Sequence, residues 1–478
     1  MNAGRISVLL AISFGCLLAG APMRAGPAGG AQVRPGEPLV TNIPYSAARP
    51  ILESLRTDLL PLELTASADV EAAWPGWVAR RDAAIRARVL AGDDESVLNL
   101  LLFGTTFTKQ PRATEREIAQ RPGTVSRHEL IERRLEDLVA GASRPGDNAR
   151  LQFARDILAR HGIDAATTAG REAARRHWHE GLDRMAVDLA KIDRAMQAAQ
   201  SAGRPAADLI ERSTLFRERG LSTDTSIFSS FAIDRALDGL AATGTLGARS
   251  VRRVGIVGPG LDFVDKHDGF DFYPPQTIQP FAVIDSLLRF QLASLGDLRV
   301  TTLDLNPRIN DHLTRAAERA RAGTGYPLVL ARDLGLAWVP RLAAYWAGLG
   351  DRIAVAAPAV GTPQAVPQVQ TRSLTARPEV ASAVHPRDLN IVVQHLPLAD
   401  DERLDLIVAT DILIYYDVFE QSLALANIAK MLRPGGVFLS NVTLFELPAL
   451  PIDSIGFSDV KYLEMPEIGD RLVWYRRK

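Results

Sequence analysis

Two kinds of apolar spacing divide the chain. From about Ala48 to Gln200 apolar positions recur every three or four residues, as in Ile51-Leu55-Leu59-Leu60, Ile131-Leu135-Leu138 and Leu182-Met185-Leu189-Ile192-Met196. Charged residues fill the other positions, so the spacing predicts amphipathic helices. Pro122-Gly123, Pro145-Gly146 and Gly203-Arg204-Pro205 punctuate them. Residues 51–220 are therefore expected to form an all-α domain, reached through a Pro-, Gly- and Ala-rich linker over 31–50.

After Pro205 the pattern changes. A helix is expected over Ser226–Leu240, a strand over Val254–Val257 and a helix over Phe281–Leu295. A strand over Val300–Leu305 and a helix over Arg308–Ala322 follow. Alternation of this kind predicts α/β architecture with a parallel sheet over 221–478. The clearest unit is Leu404 to Asn441. Strand Leu404–Ala409, helix Val418–Leu432, a Pro-Gly-Gly turn and strand Val437–Asn441 make a βαβ crossover. Ligands of such sheets sit beyond the carboxyl ends of the strands, where Thr410, Asp411, Tyr415 and Tyr416 fall. Residues 361–380 read as an insertion or surface loop. Val460–Met465 and Arg471–Arg477 read as a terminal β-hairpin around Gly469-Asp470.

Composition adds bounds. The 478 residues are long enough for two or three cores, 47% are apolar, and the formal net charge is −1. There is no basic excess, so nucleic acid is not an expected partner. Arg5, the uncharged run Ile6–Met23 and the small-residue stretch after Arg24 have the order of a secretory signal. An uncleaved anchor is the other reading of residues 1–30. The chain is then exported, periplasmic or membrane-anchored, or faces the cytoplasm from a reversed anchor. In each case the membrane is met only through this segment. Cys16 is the single cysteine and lies inside the run, which excludes disulfide frameworks and Cys-ligated metal sites from the rest of the chain.

Val254 to Phe263 is a strand running into a glycine turn with Gly258 and Gly260. Glycine lets a backbone approach a ligand closely. Asp304 ends the next strand, placed either to bind both ribose hydroxyls of a nucleoside or to cap the following helix. Dinucleotide dehydrogenases place that acid roughly 20 residues past the glycines. Here the interval is more than twice as long, and an aromatic, acidic insertion at about 265–279 fills much of it. That insertion reads as a lid or a substrate-contacting loop. His177-Trp178-His179 reads as a solvated helix rather than a metal site, because residues two apart do not share a helix face.

The segment from about Leu221 to Lys478 resembles the class I S-adenosylmethionine-dependent methyltransferases. The resemblance rests on the glycine turn at Gly258–Gly260, on Asp304 and on the Leu-x-Pro-Gly-Gly-strand at Met431–Leu439. Asp411 to Asp417 is locally similar to the chemotaxis-receptor glutamate methyltransferases. The resemblance implies a Rossmann-like, seven-stranded, mostly parallel sheet with an antiparallel last strand. It implies S-adenosyl-L-methionine as cofactor, with Gly258 and Gly260 beside the methionine moiety and Asp304 on the ribose. Gln394 and His395 would then lie near the adenine, after a strand at Leu389–Val393. Thr410 and Asp411 would face the methyl group. Two family acids are replaced, by Ile256 before the glycines and by Gln394 after the third strand. Asp262 is a candidate substitute for the first.

Methyl transfer needs alignment, exclusion of water and, for a protonated acceptor, a base. Candidate bases are Asp411, His395 and His267, with Tyr415 walling the methyl site. The acceptor is a small molecule or a protein side chain. Two other readings stay open: an exported, non-catalytic binding protein on this scaffold, and an NAD(P)-dependent oxidoreductase.

Overall fold

The strand Leu404–Ala409 is buried at every position. A strand this apolar needs cover on both faces, and the sheet around it has helices on each side. The computed structural model describes residues 40–114, 126–202, 216–217, 219–265, 268–464 and 468–478. The expected signal or anchor, Cys16, linker residues 31–39 and His267 lie outside the described residues, and the rest of the expected linker forms a short strand and the start of a helix. Among those described, no helix is long and apolar enough to cross a membrane.

In chain order the elements begin with β1 (Thr41–Asn42), α1 (Tyr45–Ser54), α2 (Val70–Phe103), α3 (Arg127–Ser143), α4 (Ala149–Arg160) and α5 (Thr168–Ala202). Then come α6 (Ile227–Ala242), β2 (Arg253–Val257), α7 (Gln279–Arg289), β3 (Arg299–Asp304), α8 (Pro307–Arg321) and β4 (Tyr326–Asp333). After α9 (Pro340–Gly348), β5 (Ala354–Ala356), β6 (Val369–Ala376) and α10 (Pro378–Ser382) follow β7 (Val384–Asp388) and β8 (Gln394–His395). The chain ends with β9 (Leu404–Ala409), α11 (Val418–Met431), β10 (Leu432–Ser440), β11 (Ile452–Leu463) and β12 (Ile468–Arg477).

The main sheet has seven strands in the order β11-β12-β10-β9-β2-β3-β7. β10, β9, β2, β3 and β7 are parallel, and β12 runs antiparallel to both β10 and β11. This is the mixed α/β sheet expected from the sequence, with its antiparallel end. A second sheet, β4-β6-β5, is antiparallel. The stretch 361–380, expected as a loop, supplies its middle strand.

One face of the main sheet packs against α6, α7 and α8, through residues such as Leu237, Ile284 and Leu313. The other face packs against α1, the first half of α2, and α11. Trp74 stacks on Trp77 there, with ring centroids 5.0 Å apart, and Trp77 meets Phe419 edge-on at 5.5 Å. Trp74 Nε1 donates to Ile43 O at 2.9 Å, which ties α2 to the strand that pairs with β8. The second half of α2 packs instead with α3, α4 and α5, around Leu101, Leu135, Ile157 and Trp178. The N-terminal helices are thus not set apart from the sheet, because α2 belongs to both clusters.

The insertion at 265–279 does not form a lid. Phe270 and Tyr273 are buried against Val329, Val366 and Val369. Asp271 is fully buried and accepts four hydrogen bonds from the turn after α2. Thr105 N and Oγ1 donate to one carboxylate oxygen, both at 2.8 Å. Thr106 N and Oγ1 donate to the other, at 2.9 and 2.6 Å.

Candidate functional site

A cleft opens at the carboxyl ends of β2, β3 and β9. Its floor is the glycine turn after β2. Gly258 and Gly260 have φ of +65° and +71°, the left-handed region open to glycine. A Cβ on Gly258 would lie 2.1 Å from Ile412 Cδ1, so the backbone there is in close contact with the β9 end. Asp304, Thr410, Asp411 and Tyr415 also line the cleft.

Asp304 ends β3 with one oxygen accepting from Asn306 N at 2.8 Å. The helix-capping role open to it in the sequence falls to Asn306, whose Oδ1 accepts from Arg308 N at the start of α8. Burial pushes the Asp304 carboxyl up to about 7.

Asp411 is held in a backbone conformation rare for a non-glycine residue, with φ +60°. Its amide donates to Asn441 Oδ1 at 2.8 Å, and Asn441 Nδ2 donates back to Asp411 Oδ1 at 2.7 Å. Ser229 Oγ donates to Asp411 Oδ2 at 2.9 Å. These contacts aim the strand end into the cleft. Thr410 Oγ1 accepts from Gln279 Nε2 at 2.7 Å. Tyr415 and Tyr416 form one wall. Behind them Arg88 of α2 donates to Tyr415 O at 3.0 Å, its guanidinium about 6 Å from both rings.

Three expected residues lie outside this cleft. Asp262 is fully buried beside the insertion, accepting from Tyr273 Oη at 2.9 Å and Gln276 Nε2 at 3.3 Å. Gln394 and His395 form β8, paired to Thr41 and Asn42 under α11. Gln394 Oε1 accepts from Asn390 N at 2.9 Å. Burial and nearby Lys430 lower His395 to about 4, so its imidazole is neutral at pH 7. The reason is a strand assignment. The run Leu389–Val393 is not the third strand but a buried turn packed against α11, where Asn427 Nδ2 donates to Ile391 O and Val392 O at 3.0 Å. The third strand is β7, and its Pro386 is tolerated because β7 is the sheet edge. The acid that follows this strand is therefore Asp388, aligned with Asp304 and followed by the cleft-lining Leu389. Asp388 Oδ1 accepts from Arg86 Nη1 of α2 at 2.8 Å.

The sequence reading also passed over Asp224. It lines the cleft from the segment before α6, and burial raises its carboxyl to about 6. Its Oδ1 is buried without a hydrogen-bond partner among the described residues, as is Gln279 Oε1. The cleft thus carries Asp224, Asp304 and Asp411, while no Lys, Arg or His is among its described lining residues. Behind this lining Arg308 Nη2 donates to Thr223 Oγ1 at 3.0 Å.

No protein-family model matches the sequence, and no curated protein matches it. Several solved structures are similar in part. N-methyltransferase NodS from Bradyrhizobium japonicum WM9 is 15% identical, over 52% of this chain and 96% of that one, with a TM-score of 0.26. TrmN from Thermus thermophilus is 14% identical, over 55% and 53%, with a TM-score of 0.24. Magnesium protoporphyrin IX methyltransferase from Synechocystis PCC 6803 with bound SAM is 9% identical, over 62% and 96%, with a TM-score of 0.26. Likeness this weak carries no argument about the chain, whose own sheet order and cleft carry it instead.

Proposed function

We propose that this chain transfers the methyl group of S-adenosylmethionine to an amine, oxygen or carboxylate acceptor on a small molecule or protein. The observation that carries the reading is the cleft at the strand ends with its glycine turn, its strand-end aspartate Asp304 and two further carboxylates, Asp224 and Asp411. The donor's sulfonium and ammonium match its carboxylates, and the donor's own carboxylate would meet the hydroxyl, amide and backbone N–H groups that also line the cleft. The orphaned, buried Asp224 Oδ1 fits the ammonium group of the donor's methionine.

Asp304 would accept hydrogen bonds from the ribose hydroxyls. Asp388 and Leu389 would hold the adenine, as the resemblance expects of the acid after the third strand. Gly258 and Gly260 leave room for the methionine backbone. The bound donor would supply a methyl group on a neutral leaving sulfur. The chain's part is then to fix the acceptor against Thr410, Asp411 and Tyr415, and to exclude water with the tyrosine wall and Val89 of α2. Asp411 stands where a proton leaving the acceptor could be received. Calorimetry with S-adenosylhomocysteine tests this. Saturable binding is expected, and its absence at millimolar ligand would sink the reading. Asp224→Asn should weaken S-adenosylmethionine roughly tenfold while leaving methylthioadenosine, which has no ammonium group, unchanged.

The ligand-free Asp304 carboxyl titrates near 7, and only its ionised form accepts from both ribose hydroxyls. Donor affinity should therefore rise about tenfold from pH 6 to pH 8. Asp304→Asn should flatten that rise, and a profile equally steep in the variant would show that another group is responsible.

The apolar run Ile6–Met23 favours a second reading, an exported binding protein that uses the scaffold without catalysis. A reporter fused after Lys478 decides the compartment. Activity of a cytoplasm-only reporter there would remove this second reading.

A further inference from the structure

Two imidazoles and a carboxylate converge outside the cleft. Asp94 lies in the second half of α2, His161 just past the end of α4, and His177 in α5. His161 Nε2 is 2.9 Å from one Asp94 oxygen and His177 Nε2 is 3.0 Å from the other. The two rings have centroids 4.4 Å apart. One ligand-type atom from each residue lies within 4.8 Å of the other two. The side chains are partly covered, at 16% exposure for Asp94, 17% for His177 and 29% for His161. The geometry points to a binding site for one divalent transition-metal ion, best matched by zinc, that clamps α2, α4 and α5 together.

The donor set decides the class of ion. Two imidazole nitrogens and one carboxylate suit zinc and its first-row neighbours, whereas magnesium and calcium take oxygen ligands. In a tetrahedral zinc site with bonds of about 2.0–2.1 Å, neighbouring ligand atoms stand roughly 3.3 Å apart. The two nitrogen–oxygen separations are close to that value but run to different Asp94 oxygens, and the three ligand-type atoms, within 4.8 Å of one another, would draw together by side-chain torsions on binding. The fourth position would face solvent on the His161 side and take water. Without metal, each Nε2–H donates to its own carboxylate oxygen, so the ion would replace two shared protons. Arg160 and Arg184 act on His161 with the opposite sign, and Arg160 also reaches Asp93 at 3.3 Å. They weaken the site relative to one with four protein ligands.

The helical spacing of His177 and His179 does separate them. His179 turns to Glu132 and Asp183, at 3.5 and 3.4 Å, away from the triad. The other two ligands come from helices the sequence does not mark as neighbours. The residue before Asp94 gives the clamp a place in the molecule. Asp93 Oδ1 accepts from Asn306 Nδ2 at 3.1 Å and Arg308 Nη2 at 3.3 Å, at the start of α8 and the rim of the cleft.

Cobalt(II) reports the site directly. The full chain, stripped with a chelator, should show visible ligand-field absorption that saturates at one ion per chain and is displaced by zinc. His177→Ala and Asp94→Ala should bind roughly tenfold or more weakly, and His179→Ala as wild type. The proposal is overturned if the wild-type chain shows no saturable cobalt absorption at millimolar cobalt, a result that needs no variant. It is equally overturned if a folded His177→Ala binds cobalt as tightly as wild type.

Discussion

Asp304→Ala should lower affinity for S-adenosylmethionine roughly a hundredfold at pH 8 and leave the fold intact. The carboxylate would hold two ribose hydroxyls by charge-assisted bonds, each contributing about 1.5 kcal/mol or more. Two such bonds correspond to about two orders of magnitude in Kd. The same substitution should not destabilise the ligand-free protein at that pH. Burial lifts the Asp304 carboxyl to about 7, and the nearby Asp388 and Asp93 carboxylates push the same way. The folded state therefore keeps a proton that the unfolded chain has released from about pH 4 upward. Stability falls as pH rises across that window, and above 7 the full cost of ionisation is present. Removing the group removes that cost, against the loss of one hydrogen bond from Asn306 N. Calorimetric titration and thermal unfolding on the same sample separate the two effects. Unchanged affinity in Asp304→Ala would remove the ribose contact, and with it the nucleoside reading of the cleft.

The largest loss of stability is expected at Asp271, far from the chemistry. Its two oxygens accept from both backbone amides and both hydroxyls of Thr105 and Thr106. Alanine there would take the acceptor from the half-buried Thr105 and the more exposed Thr106, leave a cavity in place of a fully buried carboxylate, and cost about 2–3 kcal/mol. A neighbouring cation adds to the loss. Arg134 is fully buried, donating to the carbonyls of Leu101, Gly104, Gln110 and Pro111. Burial drops its guanidinium to about 9, and the Asp271 charge opposes that drop. Asp271→Asn keeps one acceptor oxygen and should cost less than alanine. Urea unfolding measures both. A loss under about 1 kcal/mol for the alanine variant would show that water replaces the carboxylate at little cost.

How much of this was legible varies with the range of the interactions. The βαβ unit of β9, α11 and β10 could be read because its signals are local: a strand with five apolar residues in six, a capping box from Asp417 to Glu420, and the Pro-Gly-Gly turn. β10 begins earlier than expected, at Leu432, because the chain re-enters pairing before the glycines and slips register between Leu432 and Val437. The third strand was misread because Val384-His385-Pro386-Arg387-Asp388 lacks an apolar run and holds a proline. The apolar Leu389–Val393 beside it was the stronger pattern, and it is apolar because it packs under a helix. That shift moved the adenine-side acid from Asp388 to Gln394. Asp224 was passed over for a similar reason: Ser222-Thr223-Asp224 is a common lead-in to a helix, and only the fold shows one of its oxygens unpaired. The aromatic insertion looked like a lid because its partners, Val329, Val366 and Val369, lie in or beside a sheet that the pattern hid.

The 34-residue helix α2 has a consequence for how this chain can be divided. Its first half covers the sheet through Trp74 and Trp77, its middle pairs Arg86 with Asp388 and places Val89 at the cleft, and its second half holds the helical cluster. A cut near residue 220 would bare the Phe419 face and remove one wall of the cleft. The half that carries the main sheet is therefore not a self-contained unit with an accessory in front. Shuffling or excising the leading helices would take part of the binding surface with them.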